Sequence, residues 1–242
     1  MSFLPAKTKT EPPGLLCCTY HVTSTPEVDG FASERQRMVE VHLRARGLQD
    51  ERVLDAMRRV PRHEFVAEAY RGQAYEDHPL PIGQDQTISQ PYIVGVTLEA
   101  LCLQPTDVVL EIGTGRGYQT ALLCELAQQV YSIERHETLA RDATATLARL
   151  GYQNATVLVR DGSLGLPERQ PFDKIIVAAS APQIPEPLLQ QLREDGRMVV
   201  PVGSFRSQDL LLVRKHGDEA VVTFLGGCAF VPLIGEKGQF PD

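Results

Sequence analysis

Short apolar runs alternate with helical segments through the second half of the chain. The runs are rich in Val, Ile and Leu, which is typical of strands covered on both faces of a parallel sheet. They span residues 108–112, 130–135, 155–160, 173–178 and 197–202. Helical stretches separate them, the last around 187–193, and this order predicts right-handed βαβ crossovers.

Two more apolar runs follow near the C-terminus, at 209–215 and 220–225. Gly217-Asp218 lies between them and is typical of a tight turn, so the two runs predict an antiparallel hairpin. The predicted fold class is therefore α/β, with a doubly wound, mostly parallel sheet and an antiparallel C-terminal hairpin.

The first half of the chain has helical periodicity. Ser33 followed by Gln36 resembles a capping box at the start of one helix, and Gly47 would end that helix. Asp50 is expected to cap a second helix. The two helices predict an N-terminal helical layer within residues 33–104.

Residues 1–32 are rich in Pro, Thr and Gly and lack periodicity, so we expect a flexible extension there. Of the 242 residues, 43% are hydrophobic, which is enough to form a substantial core. No long linker divides the remainder of the chain. We therefore expect residues 33–242 to form a single domain.

The composition narrows the classes of function. A formal net charge of −7 argues against a surface built for nucleic acid. The N-terminal apolar run is too short for a secretory signal, and the uncharged stretch 220–235 is too short and broken to span a membrane. We expect a cytoplasmic monomer with no nucleic-acid or membrane partner.

The cysteines and histidines give no metal-binding pattern. Five cysteines form an odd set without CxxC spacing, and Cys102 and Cys124 fall in apolar helical stretches. This pattern indicates reduced, mostly buried thiols. Six histidines are scattered without paired ligand spacing, so we expect no bound metal.

A glycine-rich turn directly follows the first predicted strand. Gly113, Gly115 and Gly117 are spaced GxGxG, whereas the dinucleotide fingerprint is GxGxxG. Glycines allow the backbone to turn tightly against a ligand, and this spacing favours a nucleoside without a pyrophosphate. We expect the cofactor-binding core to cover residues 105–242.

Polar residues end the next two predicted strands. Glu134 ends the second, where a carboxylate can accept hydrogen bonds from two ribose hydroxyls, and Asp161-Gly162 follows the third. Taken alone, each acid is equally well explained as a helix cap or a solvated loop residue. Because the three loops converge on one sheet edge, their joint placement favours a nucleoside site.

One segment outside the glycine loop indicates a particular protein family far more specifically than the loop itself does. This segment is Gln86-Thr-Ile-Ser-Gln-Pro-Tyr92. Other notable segments are Tyr75-Glu-Asp77, Pro79-Leu-Pro-Ile-Gly83 and residues 110–119, 131–135, 161–162, 181–188 and 230–235. Through these segments the chain resembles the protein-L-isoaspartate O-methyltransferases over roughly residues 34–235.

The resemblance implies S-adenosylmethionine-dependent methyl transfer to the free α-carboxyl of L-isoaspartyl residues in damaged proteins and peptides, which initiates repair to aspartyl. It implies that Ser89 is the active-site hydroxyl. Cofactor contacts would come from Glu111, Gly113, Thr114, Gly115, Gly117, Glu134, Asp161 and Gly162. Substrate contacts would come from Gln86, Thr87, Val231 and Pro232.

Several residues near these motifs have a second interpretation. Ser89 precedes Gln90-Pro91 at the start of a predicted helix, so it can equally be an N-cap. His78 is expected to be a loop residue rather than a proton shuttle. Arg116 and Arg160 are expected to add positive charge near the pocket.

Two other functions stay open at this point. One is a methyltransferase acting on another small-molecule or nucleic-acid acceptor, which would share the glycine loop. The other is a non-catalytic binding or adaptor protein that retains the fold. The intact glycine loop, Glu134 and Ser89 count against a loss of catalysis.

Overall fold

A computed structural model describes residues 30–204, 207–217 and 219–238. Most of the predicted extension, residues 1–32, lies outside them. The N-terminal helices are α1 (Ala32–Arg37), continued by a π-helical segment (Met38–Leu43) and a 3₁₀ turn (Arg44–Arg46), and α2 (Glu51–Arg59). Gly47 ends the first helix with a φ of +102°, and Asp50 caps α2 by accepting hydrogen bonds from two backbone amides. Both predictions are confirmed.

The predicted capping box at Ser33 is wrong. Helix α1 begins at Ala32 with Phe31 as its N-cap, and the Ser33 hydroxyl donates to the carboxylate of its neighbour instead. The Phe31 ring stacks on the His63 ring, with centroids 4.4 Å apart. Aromatic packing therefore takes part in fixing the start of this helix.

A small hairpin that periodicity did not predict precedes the main sheet. Its strands are β1 (Leu80–Gly83) and β2 (Gln86–Ile88), which pair antiparallel. The turn residues Gln84 and Asp85 both have a φ of +55°, a conformation more usual for Asn and Gly. Helix α3 (Pro91–Leu101) follows the hairpin.

The central sheet has seven strands in the order β5-β4-β3-β6-β7-β8-β9. They are β3 (Val108–Ile112), β4 (Gln129–Glu134), β5 (Ala155–Val159), β6 (Phe172–Val177), β7 (Leu192–Ser204), β8 (Ser207–His216) and β9 (Glu219–Cys228). The neighbours β5–β4, β4–β3, β3–β6 and β6–β7 pair in parallel. Strand β8 pairs antiparallel with both β7 and β9. The predicted fold class is confirmed.

Helices cover both faces of this sheet. They are α4 (Tyr118–Leu126), α5 (Glu137–Arg149) and α6 (Glu186–Gln191). Successive strand residues point to opposite faces, so Val109 packs in the core with α2 to α5, whereas Leu110 packs in the core with α6. Two cores on one sheet are what a doubly wound fold requires.

The thiols are less buried than predicted. Cys124 is buried and Cys228 half-buried, but Cys102 is exposed. The prediction for Cys102 is wrong because α3 ends at Leu101 and the cysteine lies at the C-cap, with a φ of +49°. Within the described ranges, no helix has the length and apolar character needed to cross a membrane.

Candidate active site

A cavity of about 870 Å³, a volume that includes space open to solvent, lies at the carboxyl ends of β3 and β4. The order of the strands reverses beside β3, and ligands of open α/β sheets bind at such a point. The predicted site residues that line the cavity are Gln86, Thr87, Ser89, Gly113, Thr114, Gly115, Glu134, Gly162, Val231 and Pro232. Glu111, Gly117 and Asp161 are not among its lining residues.

The glycine loop has the tight geometry that its spacing predicts. Gly113, Gly115 and Gly117 have φ values of +95°, +56° and +96°, in the region that favours glycine. A Cβ atom at Gly115 would lie 3.0 Å from the Ile82 side chain and would crowd the cavity. Gly117 is the N-cap of α4 and faces Ala143, so it shapes the loop from behind.

Glu134 ends β4 with its carboxylate at the cavity wall. One carboxylate oxygen accepts a hydrogen bond from Gly115 N at 2.9 Å, and the other accepts one from His136 N at 2.9 Å. Because a carboxylate offers about four lone-pair positions, both oxygens can still accept hydrogen bonds from a ligand. The backbone amides therefore hold the Glu134 carboxylate in a fixed position at the cavity wall.

Asp161 caps its own loop, which was the alternative interpretation of this acid. It accepts hydrogen bonds from the amide and hydroxyl of Ser163 at 2.9 and 2.7 Å, and from Glu236 N at 2.8 Å. Partial burial opposes its ionisation, but these hydrogen bonds hold the pKa of Asp161 below its ordinary value. Gly162 is the member of the pair that reaches the cavity.

Glu111 is fully buried in β3 and supports the glycine loop instead of lining the cavity. It accepts hydrogen bonds from Ser132 Oγ at 2.6 Å, Thr120 Oγ1 at 2.5 Å and Gln119 Nε2 at 3.1 Å. The Thr114 hydroxyl lies 2.5 Å from Ser132 Oγ, which connects this network to the loop. Burial raises the pKa of Glu111 to about 7, although the hydrogen bonds oppose the shift. The structure thus shows Glu111 supporting the loop, and a direct contact of Glu111 with a ligand stays a prediction.

The rest of the cavity lining includes the β2 segment and a C-terminal loop. Gln86, Thr87 and Ser89 come from the first, and Val231 and Pro232 from the second. Ser180 N donates to Val231 O at 2.8 Å, and this hydrogen bond fixes the loop. A second cavity of about 590 Å³ shares Thr87, Ser89 and Val231 with the first, so Ser89 lies where the two cavities meet.

Ser89 is not the N-cap of α3. That position belongs to Gln90, with Pro91 as the first helical residue. The amide of Tyr92 donates to Asp77 Oδ1 at 3.0 Å, so an acid from another segment caps the helix. Ser89 is left to form part of the cavity wall.

Comparison with known proteins decides the family. A sequence profile described as protein-L-isoaspartate(D-aspartate) O-methyltransferase (PCMT) matches residues 33–238. The chain belongs to this family. Protein-L-isoaspartate O-methyltransferase of Koribacter versatilis strain Ellin345 is 53% identical over 220 residues, which cover 91% of this chain and 99% of that protein. Protein-L-isoaspartate O-methyltransferase 1 of Syntrophobacter fumaroxidans is 55% identical over 208 residues, covering 86% and 97%.

Solved structures of isoaspartyl methyltransferases share the fold. One has a TM-score of 0.77 at 30% identity and covers 84% of this chain and 67% of its own. A second, from Plasmodium falciparum in complex with S-adenosyl-L-homocysteine, has a TM-score of 0.72 at 25% identity and covers 83% and 98%. The family resemblance read from the sequence is confirmed.

Two residues that shape this isoaspartyl methyltransferase site were missed by sequence reasoning. Asp77 accepts hydrogen bonds from Gln90 Nε2 at 2.8 Å and from the Tyr92 amide, and Arg62 donates to Ser89 O at 2.8 Å. Asp77 lies in a segment that carries the resemblance, which was the available signal. Nothing in the sequence around Arg62 reveals that its side chain is buried.

The charged residues expected near the pocket divide into two groups. Arg116 lines the cavity and lies 3.4 Å from the Asp142 carboxylate. Arg160 is exposed and pairs with Glu168, so the expectation that it charges the pocket is not supported. His78 is half-buried and lies in the loop before β1, as predicted.

Proposed function

We propose that this protein transfers the methyl group of S-adenosylmethionine to the free α-carboxylate of L-isoaspartyl residues in damaged proteins and peptides, which starts their repair to aspartyl. One observation carries the proposal. Gly115 and Glu134 line the same cavity as Ser89 and Val231. The first pair suits a nucleoside, and the second suits a peptide carboxylate.

The residues of the glycine loop fit the cofactor. S-adenosylmethionine, when bound, supplies an electrophilic methyl group. Gly113, Thr114 and Gly115 would hold its methionine end, where positive φ angles bring the backbone close to a ligand. Glu134 would accept hydrogen bonds from the ribose hydroxyls, and Gly162 would border the adenine.

Ser89 would orient the acceptor carboxylate. A free α-carboxyl has a pKa of about 3.5 and is ionised at neutral pH, so the chain needs no general base. Positioning is the remaining requirement. A serine hydroxyl can donate a hydrogen bond to the carboxylate without adding a competing charge.

Apolar side chains would exclude water from around the acceptor carboxylate. Ile82, Val94 and Leu233 line the same cavity as Ser89. A carboxylate with few hydrating waters is a better nucleophile, because less solvent must be displaced as its charge is lost. The Ser89 hydroxyl would replace part of the missing hydration.

We also infer that the protein acts as a cytoplasmic monomer without a nucleic-acid partner. The net charge of −7 supports the absence of a surface for phosphate backbones. The three described cysteines are free, which suits a reducing compartment.

The test follows one L-isoaspartyl peptide through the repair cycle. The peptide is incubated with the protein and S-adenosylmethionine, and the products are separated over time. We expect a base-labile methyl ester, then a succinimide, then a fraction of normal aspartyl peptide. If no ester forms while calorimetry shows that the cofactor binds, the acceptor is a different one.

A further inference from the structure

Arg62 is a fully buried arginine next to the candidate active site. It begins the 3₁₀ turn that follows α2 and has 0% exposure. Removing a guanidinium from water is costly unless the protein supplies hydrogen bonds in return. Burial lowers the pKa of Arg62 to about 10, so the side chain still carries its charge at neutral pH. A charge retained at this cost indicates a role beyond packing.

The contacts of Arg62 connect the two sides of the site. Its Nε donates to Ala74 O at 2.7 Å, and its Nη2 donates to Ser89 O at 2.8 Å. The guanidinium carbon lies 4.9 Å from the centre of the Tyr118 ring. Ser89 lines the cavity on the substrate side, whereas Tyr118 begins α4 directly after the glycine loop. Arg62 therefore spans from the acceptor segment to the cofactor helix.

Asp77 holds the residues that follow Ser89 but makes no such contact with Ser89 itself. Asp77 accepts hydrogen bonds from the Gln90 side chain at 2.8 Å and from the Tyr92 amide at 3.0 Å. These bonds fix the start of α3. The hydrogen bond from Arg62 acts one residue earlier, on the carbonyl of Ser89. The orientation of the Ser89 peptide unit thus depends on Arg62.

We propose that Arg62 is a positioning residue for methyl transfer. By holding the Ser89 carbonyl from behind, it fixes the Ser89 hydroxyl relative to the glycine loop. The inference rests on the proposed function, in which that hydroxyl orients the acceptor carboxylate. A displacement of about 1 Å in an active site can reduce the rate about a hundredfold, so loss of this contact is expected to reduce turnover more than cofactor binding.

The test compares two Arg→Lys substitutions. Arg62→Lys keeps the charge but replaces a planar fork with a single ammonium that cannot bridge the same two carbonyls. Arg52→Lys is the control, because Arg52 also donates to two carbonyls, Leu103 O at 2.6 Å and Leu126 O at 3.2 Å, and does not line the cavity. Arg62→Lys should lower kcat on an L-isoaspartyl peptide about tenfold to a hundredfold. The Kd for S-adenosylmethionine, measured by calorimetry, should stay within about threefold, and Arg52→Lys should change neither quantity.

A double variant separates positioning from general support of the fold. If Arg62 acts through Ser89, adding Arg62→Lys to Ser89→Ala should lower kcat little further. Arg62→Gln is a second test of the same contact. Its neutral side chain avoids the cost of a buried charge but still cannot bridge both carbonyls. It should show the same loss of kcat with cofactor binding retained.

Three outcomes would overturn the proposal. The first is a wild-type kcat in folded Arg62→Lys and Arg62→Gln, while the unsubstituted enzyme is active on the peptide. The second is a parallel loss of kcat, cofactor affinity and thermal stability in both variants, since Arg62 would then support the whole fold. The third is an unsubstituted protein that binds the cofactor but does not methylate the peptide, in which case the proposed function fails as well.

Discussion

Ser89 is the residue on which the proposed reaction depends most directly. It lies where the two cavities meet, between the glycine loop and the loop of Val231. Its proposed role is to donate one hydrogen bond to the acceptor carboxylate, which is an anion. A hydrogen bond to a charged group contributes about 1.5 to 3 kcal/mol, which corresponds to about tenfold to a hundredfold in rate.

Replacing Ser89 by alanine should therefore lower kcat on an L-isoaspartyl peptide about tenfold to a hundredfold. Cofactor affinity should remain, because the glycine loop and Glu134 are untouched. Steady-state kinetics and calorimetry on Ser89→Ala check both expectations, with Ser33→Ala, at an exposed position, as the control. Full turnover in Ser89→Ala would remove Ser89 from the active site.

Glu134 is expected to govern the affinity for the cofactor. In Glu134→Gln an amide NH₂ replaces one carboxylate oxygen and faces the amide of Gly115 or His136, both of which are donors. The Kd for S-adenosylmethionine should rise about tenfold to a hundredfold. The control is Glu137→Gln, at an exposed position three residues further along the chain. It should bind S-adenosylmethionine with the same Kd as the unsubstituted protein. If calorimetry gave both variants the same affinity for S-adenosylmethionine, the result would contradict a contact between Glu134 and the ribose.

At the scale of the elements, Glu111 connects β3, β4 and α4 beneath the glycine loop. Its hydroxyl partners come from Ser132 in β4 and Thr120 in α4. The pKa of Glu111 is about 7 in the folded protein, against 4.5 for the ordinary side chain. Between these two pH values the folded state binds more protons than the unfolded state, so stability falls as the pH rises. Above pH 7 the buried charge opposes folding by an amount on the order of 3 kcal/mol.

Glu111→Gln should remove this pH dependence, because an amide does not titrate. Urea unfolding at pH 5 and pH 8 measures the loss of stability in each protein. The loss should be smaller in Glu111→Gln than in the unsubstituted protein by an amount on the order of 3 kcal/mol. An identical loss in both proteins would show that Glu111 titrates normally.

The elements that the sequence predicted correctly are those whose burial leaves a periodic pattern. Strands β3, β4, β6 and β7 carry apolar runs because helices cover this part of the sheet, and Asp50 has the polar side chain that an N-cap requires. The β1–β2 hairpin was missed because Pro81 obscures the strand and its turn uses Gln84-Asp85 in place of Asn-Gly. The first helix was predicted to start with Ser33 as its cap, whereas it starts at Ala32, directly after Phe31; the Phe31 ring stacks on His63, a contact that local sequence does not encode.

The site was predictable to the extent that its residues follow strands directly. The glycine loop and Glu134 lie at the ends of β3 and β4, where the fold class places a ligand. The contact of Arg62 with Ser89 and the support that Glu111 gives to the glycine loop were not predicted, because both depend on tertiary contacts with residues distant in sequence. Periodicity cannot show that a charged side chain is fully buried.

At the scale of the whole molecule, residues 33–238 match the family profile. The residues that line the cavity all lie within this range. Among the described residues outside this range, Phe31 stacks on the His63 ring and lies 6.0 Å from the Tyr75 ring, centroid to centroid.

Deleting residues 1–29 should therefore leave kcat and the Kd for S-adenosylmethionine within about twofold, since positioning of the reacting groups would be unchanged. The melting temperature should also be retained, because Phe31 stays in the shortened chain. A tenfold fall in kcat on a short peptide would show that the deleted residues take part in the reaction.

The initial rate of methyl transfer to three peptides of one sequence tests the proposed reaction. One contains L-isoaspartate with a free α-carboxylate, one contains L-isoaspartate whose α-carboxyl is amidated, and one contains normal aspartate. Methylation of the first peptide alone is the predicted result. Equal methylation of the aspartyl peptide, or of the amidated one, would contradict transfer to the α-carboxylate of isoaspartate.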